Sequence, residues 1–152
     1  VNPLAPSAVH ERALACPALP TCGLALTEAE RFLPSLLPEI QRALDEFGLA
    51  SRAPVLRMTG CPNGCARPYS AELGIVGRTV NGYAIYAGGD LEGTRVGHPV
   101  LDSIKSTELA PALRALFAVW RSDAPVEERL GDFAHRIPAT ELKERILSVW
   151  TR

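Results

Sequence analysis

Four cysteines in two pairs are the residues of this chain best suited to chemistry. Cys16 and Cys22 stand as Cys-x5-Cys, Cys61 and Cys65 as Cys-x3-Cys, and 38 residues separate Cys22 from Cys61. Four thiolates converging from two loops form the ligand set of a [4Fe–4S] cluster or of a four-cysteine zinc site. A pair of disulfides is a third reading. It is disfavoured because no export signal is visible, and clustered cysteines in a reducing compartment more often bind metal. Zinc knuckles favour about two to four residues between their cysteines, which Cys-x5-Cys fits poorly, whereas the corners of an iron–sulfur cube lie further apart. Residue types thus favour the cluster and leave zinc as the alternative.

No other group competes for the role. His10, His98 and His135 show no ligand spacing with one another or with the cysteines, which argues against haem ligation by any of them. No Ser/His/Asp arrangement and no phosphate-loop motif is present, and Asp45, Glu46, Glu127 and Glu128 read as solvated helix faces. A net charge of −1 and a pI near 6.3 give no electrostatic case for nucleic acid or an anionic membrane. No apolar run is long enough to span a bilayer and no leader is visible, so the expected compartment is the cytoplasm. The chain opens Val-Asn-Pro without Met, as expected of a piece of something longer.

The elements that must position the thiols follow from periodicity and turn chemistry. Residues 1–26 read as irregular, with Pro3, Pro6, Pro17 and Pro20 denying the first cysteine loop a regular backbone. Thr27-Glu-Ala-Glu30 fits a capping box, and a helix running to Phe47 should stop at Gly48. Pro34 and Pro38 should split it, with the main helix starting near Pro34 and Ile40, Ala43, Leu44 and Phe47 facing the core. Strands are expected at 54–58, leading into the Cys61 loop, and at 72–77 and 82–88, the last two joined by a type I′ turn at Asn81-Gly82. The glycine-rich loop 88–97 offers backbone amides and Arg95 to an anionic group. The remainder reads as helical. One helix opens at Ser106 or Thr107 and carries Leu109 to Trp120; a looser element from Val126 to Ile137 breaks at Gly131; a terminal helix is capped near Thr140. The fold expected is α/β (α+β) in one domain over residues 1–152: a small mixed or antiparallel sheet covered by helices, with two loops holding a metal group at one end.

At Thr59-Gly-Cys-Pro-Asn-Gly-Cys-Ala-Arg-Pro-Tyr69, followed by Ala71-Glu-Leu-Gly-Ile-Val-Gly77, the sequence resembles the sirohaem/[4Fe–4S] nitrite and sulfite reductase family. The stretch Ala15 to Arg31 resembles the other half of that family's cluster motif, and Gly93-Thr-Arg95 and Gly131-Asp-Phe133 also match. The resemblance covers nearly the whole chain. It implies that Cys16, Cys22, Cys61 and Cys65 bind a [4Fe–4S] cluster and that Cys65 is also the proximal ligand of the sirohaem iron. One thiolate bridging both centres would couple them electronically. Asn63 is implied beside the sirohaem, where its amide would bond a macrocycle carboxylate, and the loop carrying Arg95 would serve the same purpose. The implied reaction is the six-electron reduction of sulfite to sulfide in assimilatory sulfur metabolism, driven by ferredoxin or a flavoprotein. Gly64, where nitrite reductases tend to carry Ser, favours the sulfite over the nitrite branch.

The family's Arg and Lys residues that grip substrate come largely from an earlier part of a longer chain. The expectation is therefore a C-terminal cluster-binding portion that works with the N-terminal half of the same reductase. Alone it should house the cluster without reducing sulfite; steady turnover by this chain with an artificial electron donor would refute that. The rival from another class is a non-enzymatic four-cysteine module, holding zinc or an iron–sulfur cluster for electron transfer.

Overall fold

The apolar run from Leu56 to Thr59 and the two runs flanking Val80-Asn81 form the centre of a five-stranded sheet in the computed structural model, which describes residues 6–150. The irregular reading of Pro3 lies outside the described residues. The strands are β1 (Ala13–Ala15), β2 (Leu56–Thr59), β3 (Leu73–Thr79), β4 (Gly82–Ala87) and β5 (His98–Lys105), and they lie side by side in chain order. β1, β2 and β3 run parallel; β4 and β5 are antiparallel to their neighbours, which makes the sheet mixed. Around it stand α1 (Ala8–Glu11), α2 (Leu33–Glu46), α3 (Ser106–Asp123), α4 (Leu130–Arg136) and α5 (Ala139–Val149). Parallel neighbours need a crossover, and α2 supplies the one between β1 and β2.

One core lies between a face of the sheet and the helices. It takes Leu56 and Met58 from β2, Leu73 and Ile75 from β3 and Ile85 from β4, against Ile40 and Leu44 of α2, Leu113 to Trp120 of α3 and Ile146 of α5. The alternation of strand side chains sends Val76, Ala84 and Tyr86 to the opposite face, where Tyr69 covers them. Among the described residues no helix is long and apolar enough to cross a membrane.

Several local expectations change. Thr27 caps no helix: α2 begins at Leu33 with Pro34 in its first turn, and the Thr27 hydroxyl instead donates to Gly60 O. Pro38 sits inside α2 without ending it, and Gly48 with φ +67° closes the helix as expected. The hairpin is not a type I′ turn at Asn81-Gly82. Only Asn81 has positive φ (61°), Thr79 pairs with Gly82, and the register shifts between Gly77 and Thr79. β1 and β5 lie where irregular chain and helix were expected. Gly131 does not break its element but lies within α4, where a Cβ would come 2.0 Å from Gly89 O. Val126 is exposed, outside α4, and Thr140 lies inside α5, whose N-cap is Pro138. Two of the acidic residues read as solvated are paired, Glu46 with Arg114 and Glu128 with Arg136.

His98, at the start of β5, holds a buried Nε2 without a hydrogen-bond partner. Burial chiefly, and the charge of His135 secondarily, keep its pKa below the ordinary value. In the window below the unfolded value of about 6.5 the unfolded chain then binds more protons than the folded one. Stability should be full above that pH and fall as the medium becomes more acidic. Urea midpoints compared at about pH 7.5 and about pH 5.5 test this, and His98→Asn should flatten the difference.

Candidate metal centre

β1 and β2 are parallel neighbours, with Ala15 opposite Met58, so the chain leaves both at the same end of the sheet. Cys16 follows β1 directly and Cys61 follows β2 by one intervening glycine, which brings the two cysteine pairs to one place. Building a site beyond the carboxyl ends of parallel strands is a general solution of α/β sheets. The backbone locks the arrangement: Cys16 N donates to Met58 O at 3.1 Å, and Glu30 N donates back to Cys16 O at 3.1 Å.

Gly60 joins the two loops. Its carbonyl accepts from Leu26 N (2.8 Å), Thr27 N (3.1 Å) and Thr27 Oγ1 (3.3 Å). Its own N–H points at Cys16 Sγ, 3.4 Å away. The approach is so close that a Cβ here would lie 2.5 Å from Ala18 Cβ and 2.6 Å from Thr27 O. The Cys61–Cys65 turn is braced from the other side of the sheet. Gly64 takes φ +69°, and Tyr69 OH donates to Pro62 O at 2.7 Å. The Tyr69 ring meets Tyr86 edge-on, with centroids 5.0 Å apart. Burial, with Tyr86 adding to it, raises the phenol pKa, so Tyr69 remains a donor through neutral pH.

All four cysteines line one mostly apolar cavity of about 210 Å³, together with Ala18, Leu24, Thr59 and Asn63 among others. None is bonded to another; Cys61 is buried, Cys16 and Cys22 are half-buried, and Cys65 is exposed. Among the described residues no three His, Cys, Asp or Glu side chains are grouped so that they could hold a metal ion. Four soft donors spread around a cavity of this size suit a polynuclear group better than a single tetrahedral ion, which draws its ligands in to about 2.3 Å.

Asn63 is exposed on this wall, whereas Arg95 is not part of it. Arg95 donates to Gly88 O and Gly89 O and pairs with Asp132 at 2.8 Å, fastening the glycine-rich loop to α4. Three residues escaped sequence reasoning. Thr59 lines the cavity, and Arg57 and Arg67 line a second recess of about 100 Å³ with Ser70 and the tip of that loop. Burial first, and Arg67 second, lower the pKa of Arg57. The available signal was position, since the two arginines flank the Cys-x3-Cys turn closely on either side.

Comparison with known proteins accords with this geometry. Residues 12–152 match the family described as "Nitrite and sulphite reductase 4Fe-4S domain". A "Sulfite reductase [ferredoxin]" of Synechococcus elongatus is 48% identical over 132 residues, 87% of this chain and 21% of that protein. A "Sulfite reductase [NADPH] hemoprotein beta-component" of Methylobacterium nodulans is 45% identical over 130 residues, 86% of this chain and 22% of that protein. The chain thus spans about a fifth of the length of these curated relatives. The fold is shared with the Mycobacterium tuberculosis NirA protein at a TM-score of 0.76 and 24% identity, over 91% of this chain and 27% of that one. The chain belongs to the nitrite and sulphite reductase 4Fe-4S domain family.

Proposed function

We propose that this chain is the cluster- and sirohaem-binding C-terminal portion of a sulfite reductase. The observation that carries the reading is the cavity itself. Two adjacent parallel strands deliver Cys16, Cys22, Cys61 and Cys65 to its wall, and of the four only Cys65 is exposed. All four thiolates would hold the cluster, and the soft donor set, the size of the cavity and the Gly60 N–H aimed at Cys16 suit that group. Exposure leaves the Cys65 sulfur reachable from outside, as a ligand shared with a haem iron must be. When bound, the paired centres would relay electrons from an external donor to the iron at which sulfite is reduced by six electrons to sulfide. The protein's own residues orient and shield. Ala18 and Leu24 give the cavity apolar lining beside the sulfurs, and Tyr69 holds the turn that carries Cys65. Asn63 offers its amide to a macrocycle carboxylate, while Arg95 contributes by fixing the neighbouring loop.

Sulfite rather than nitrite is supported by the names of the two curated relatives. The rest of the enzyme would supply the far wall of the substrate site, and a ferredoxin or a flavoprotein the electrons, in the cytoplasm. Anaerobic reconstitution followed by iron, acid-labile sulfide and zinc analysis tests the cluster. About four irons and four sulfides per chain are expected, falling sharply in Cys61→Ser. Zinc near one per chain with no sulfide would overturn the reading. In the full-length enzyme, sulfide formation from sulfite should exceed ammonia formation from nitrite.

A further inference from the structure

Thr59 ends β2, two positions before Cys61. It is fully buried, and its Oγ1 has no hydrogen-bond partner. Buried hydroxyls are nearly always satisfied, because an unpaired one has lost its water and gained nothing in return. The surroundings account for the deficit: Thr59 lines the cysteine cavity, whose wall is mostly apolar, and no side chain of that wall takes its hydrogen bond. A hydroxyl carries one proton and can turn to aim it. Packing alone would be served equally by valine, which has the same shape and at least as strong a preference for strands.

We infer that the Thr59 hydroxyl donates a hydrogen bond to a sulfur at the cluster, a ligating thiolate or a cluster sulfide, and so sets the reduction potential. The inference rests on the cluster reading given above. An added electron increases the negative charge on the sulfurs, so a donor aimed at them favours the reduced form. Gly60 N–H, 3.4 Å from Cys16 Sγ, is one such donor, and Thr59 is a second from the adjacent residue. The two come from the same strand end, so β2 presents a short row of donors to the cavity. Thr59 is a positioning residue: it acts on the potential through sulfur and touches no substrate.

The test compares wild type, Thr59→Val and Thr59→Ser after cluster loading, by redox titration followed through the electron paramagnetic resonance of the reduced cluster. Valine should make one-electron reduction about tenfold less favourable, a shift of 59 mV to lower potential, and serine should restore the wild-type value. Proton double-resonance spectra in H2O and D2O should show one exchangeable coupling that is lost in the valine variant and kept in the serine variant. Without cluster, Thr59→Val should melt no lower than wild type, because it removes an orphaned hydroxyl. Should the valine variant fail to retain its cluster, Thr59→Ala carries the same comparison. An unchanged potential and unchanged couplings in a fully loaded variant would overturn the inference while leaving the cluster intact. A wild-type chain that takes up neither iron nor sulfide would instead overturn the cluster reading itself, and this inference with it.

Discussion

Replacing Glu72 with alanine is expected to cost about 3–5 kcal/mol of folding stability, the range for breaking a buried ion pair from one side. Glu72 is 1% exposed, and its carboxylate accepts from Arg129 Nε at 2.8 Å, Arg129 Nη2 at 2.6 Å and Val55 N at 2.9 Å. Arg129 also donates to Ala53 O at 3.2 Å. One fork therefore ties the approach to β2, the start of β3 and the N-terminus of α4 together at the amino ends of these parallel strands, the end of the sheet opposite the one from which the chain leaves β2 for Cys61. Removing the carboxylate strands a partly buried guanidinium and orphans the Val55 amide, and both penalties fall on the folded state. For a chain of this length the melting temperature should drop by roughly 10 °C. Arg129→Ala should be comparably damaging, and the double variant should lose much less than the sum of the two. Additive losses, or a Glu72→Ala variant within about 1 kcal/mol of wild type in urea, would contradict the pairing.

The second large effect concerns metal retention rather than folding. Gly60→Ala places a methyl group 2.5 Å from Ala18 Cβ and 2.6 Å from Thr27 O. Neither neighbour is a flexible side-chain tip, so the first cysteine loop must move away from the second. The local strain should cost about 1–3 kcal/mol. Cluster affinity should fall further, about 10–100-fold, as is typical when the groups orienting metal ligands are disturbed. Gly23→Ala is the control: it lies in the first cysteine loop beside Cys22, and a Cβ there meets nothing within 4 Å. Iron and sulfide retention during anaerobic chelator challenge should separate the two variants. Equal retention would mean that the close approach at Gly60 does not set the spacing of the thiols.

The parts of the fold legible in the sequence were those whose own residues decide their state. The 3.6-residue spacing of Ile40, Ala43 and Leu44, and of Leu109, Leu113 and Leu116, suffices for α2 and α3 because one stripe of each must be buried. β1 and β5 are decided by their neighbours instead. Ala13-Leu-Ala15 is poor strand material and is extended only because β2 pairs with it. In β5 the ladder to β4 shifts register twice, and Ser103 takes φ 58°, which breaks the alternation that would have revealed a strand. Thr27 misled for a related reason. Its residue type suits a cap, but the carbonyl of Gly60, 33 positions away, claims its hydroxyl. At the site, the cysteine pattern identified the donors, whereas the roles of Gly60 and Thr59 depend on how the two loops meet beyond the carboxyl ends of β1 and β2.

The distribution of the four thiols over two chain segments also makes the metal group a staple in the covalent sense. A cluster bonded to both Cys22 and Cys61 would close the intervening 38 residues, including all of α2, into a ring. By the chain-entropy relation for cross-links, a ring of that size removes about 4 kcal/mol of disorder from the unfolded chain. Part of the domain's resistance to unfolding would then reside in the metal, so oxidative loss of the cluster would cost the protein mechanical integrity as well as its redox function. β1, an edge strand of three residues whose neighbour in the sheet is β2, is the element that would fray first.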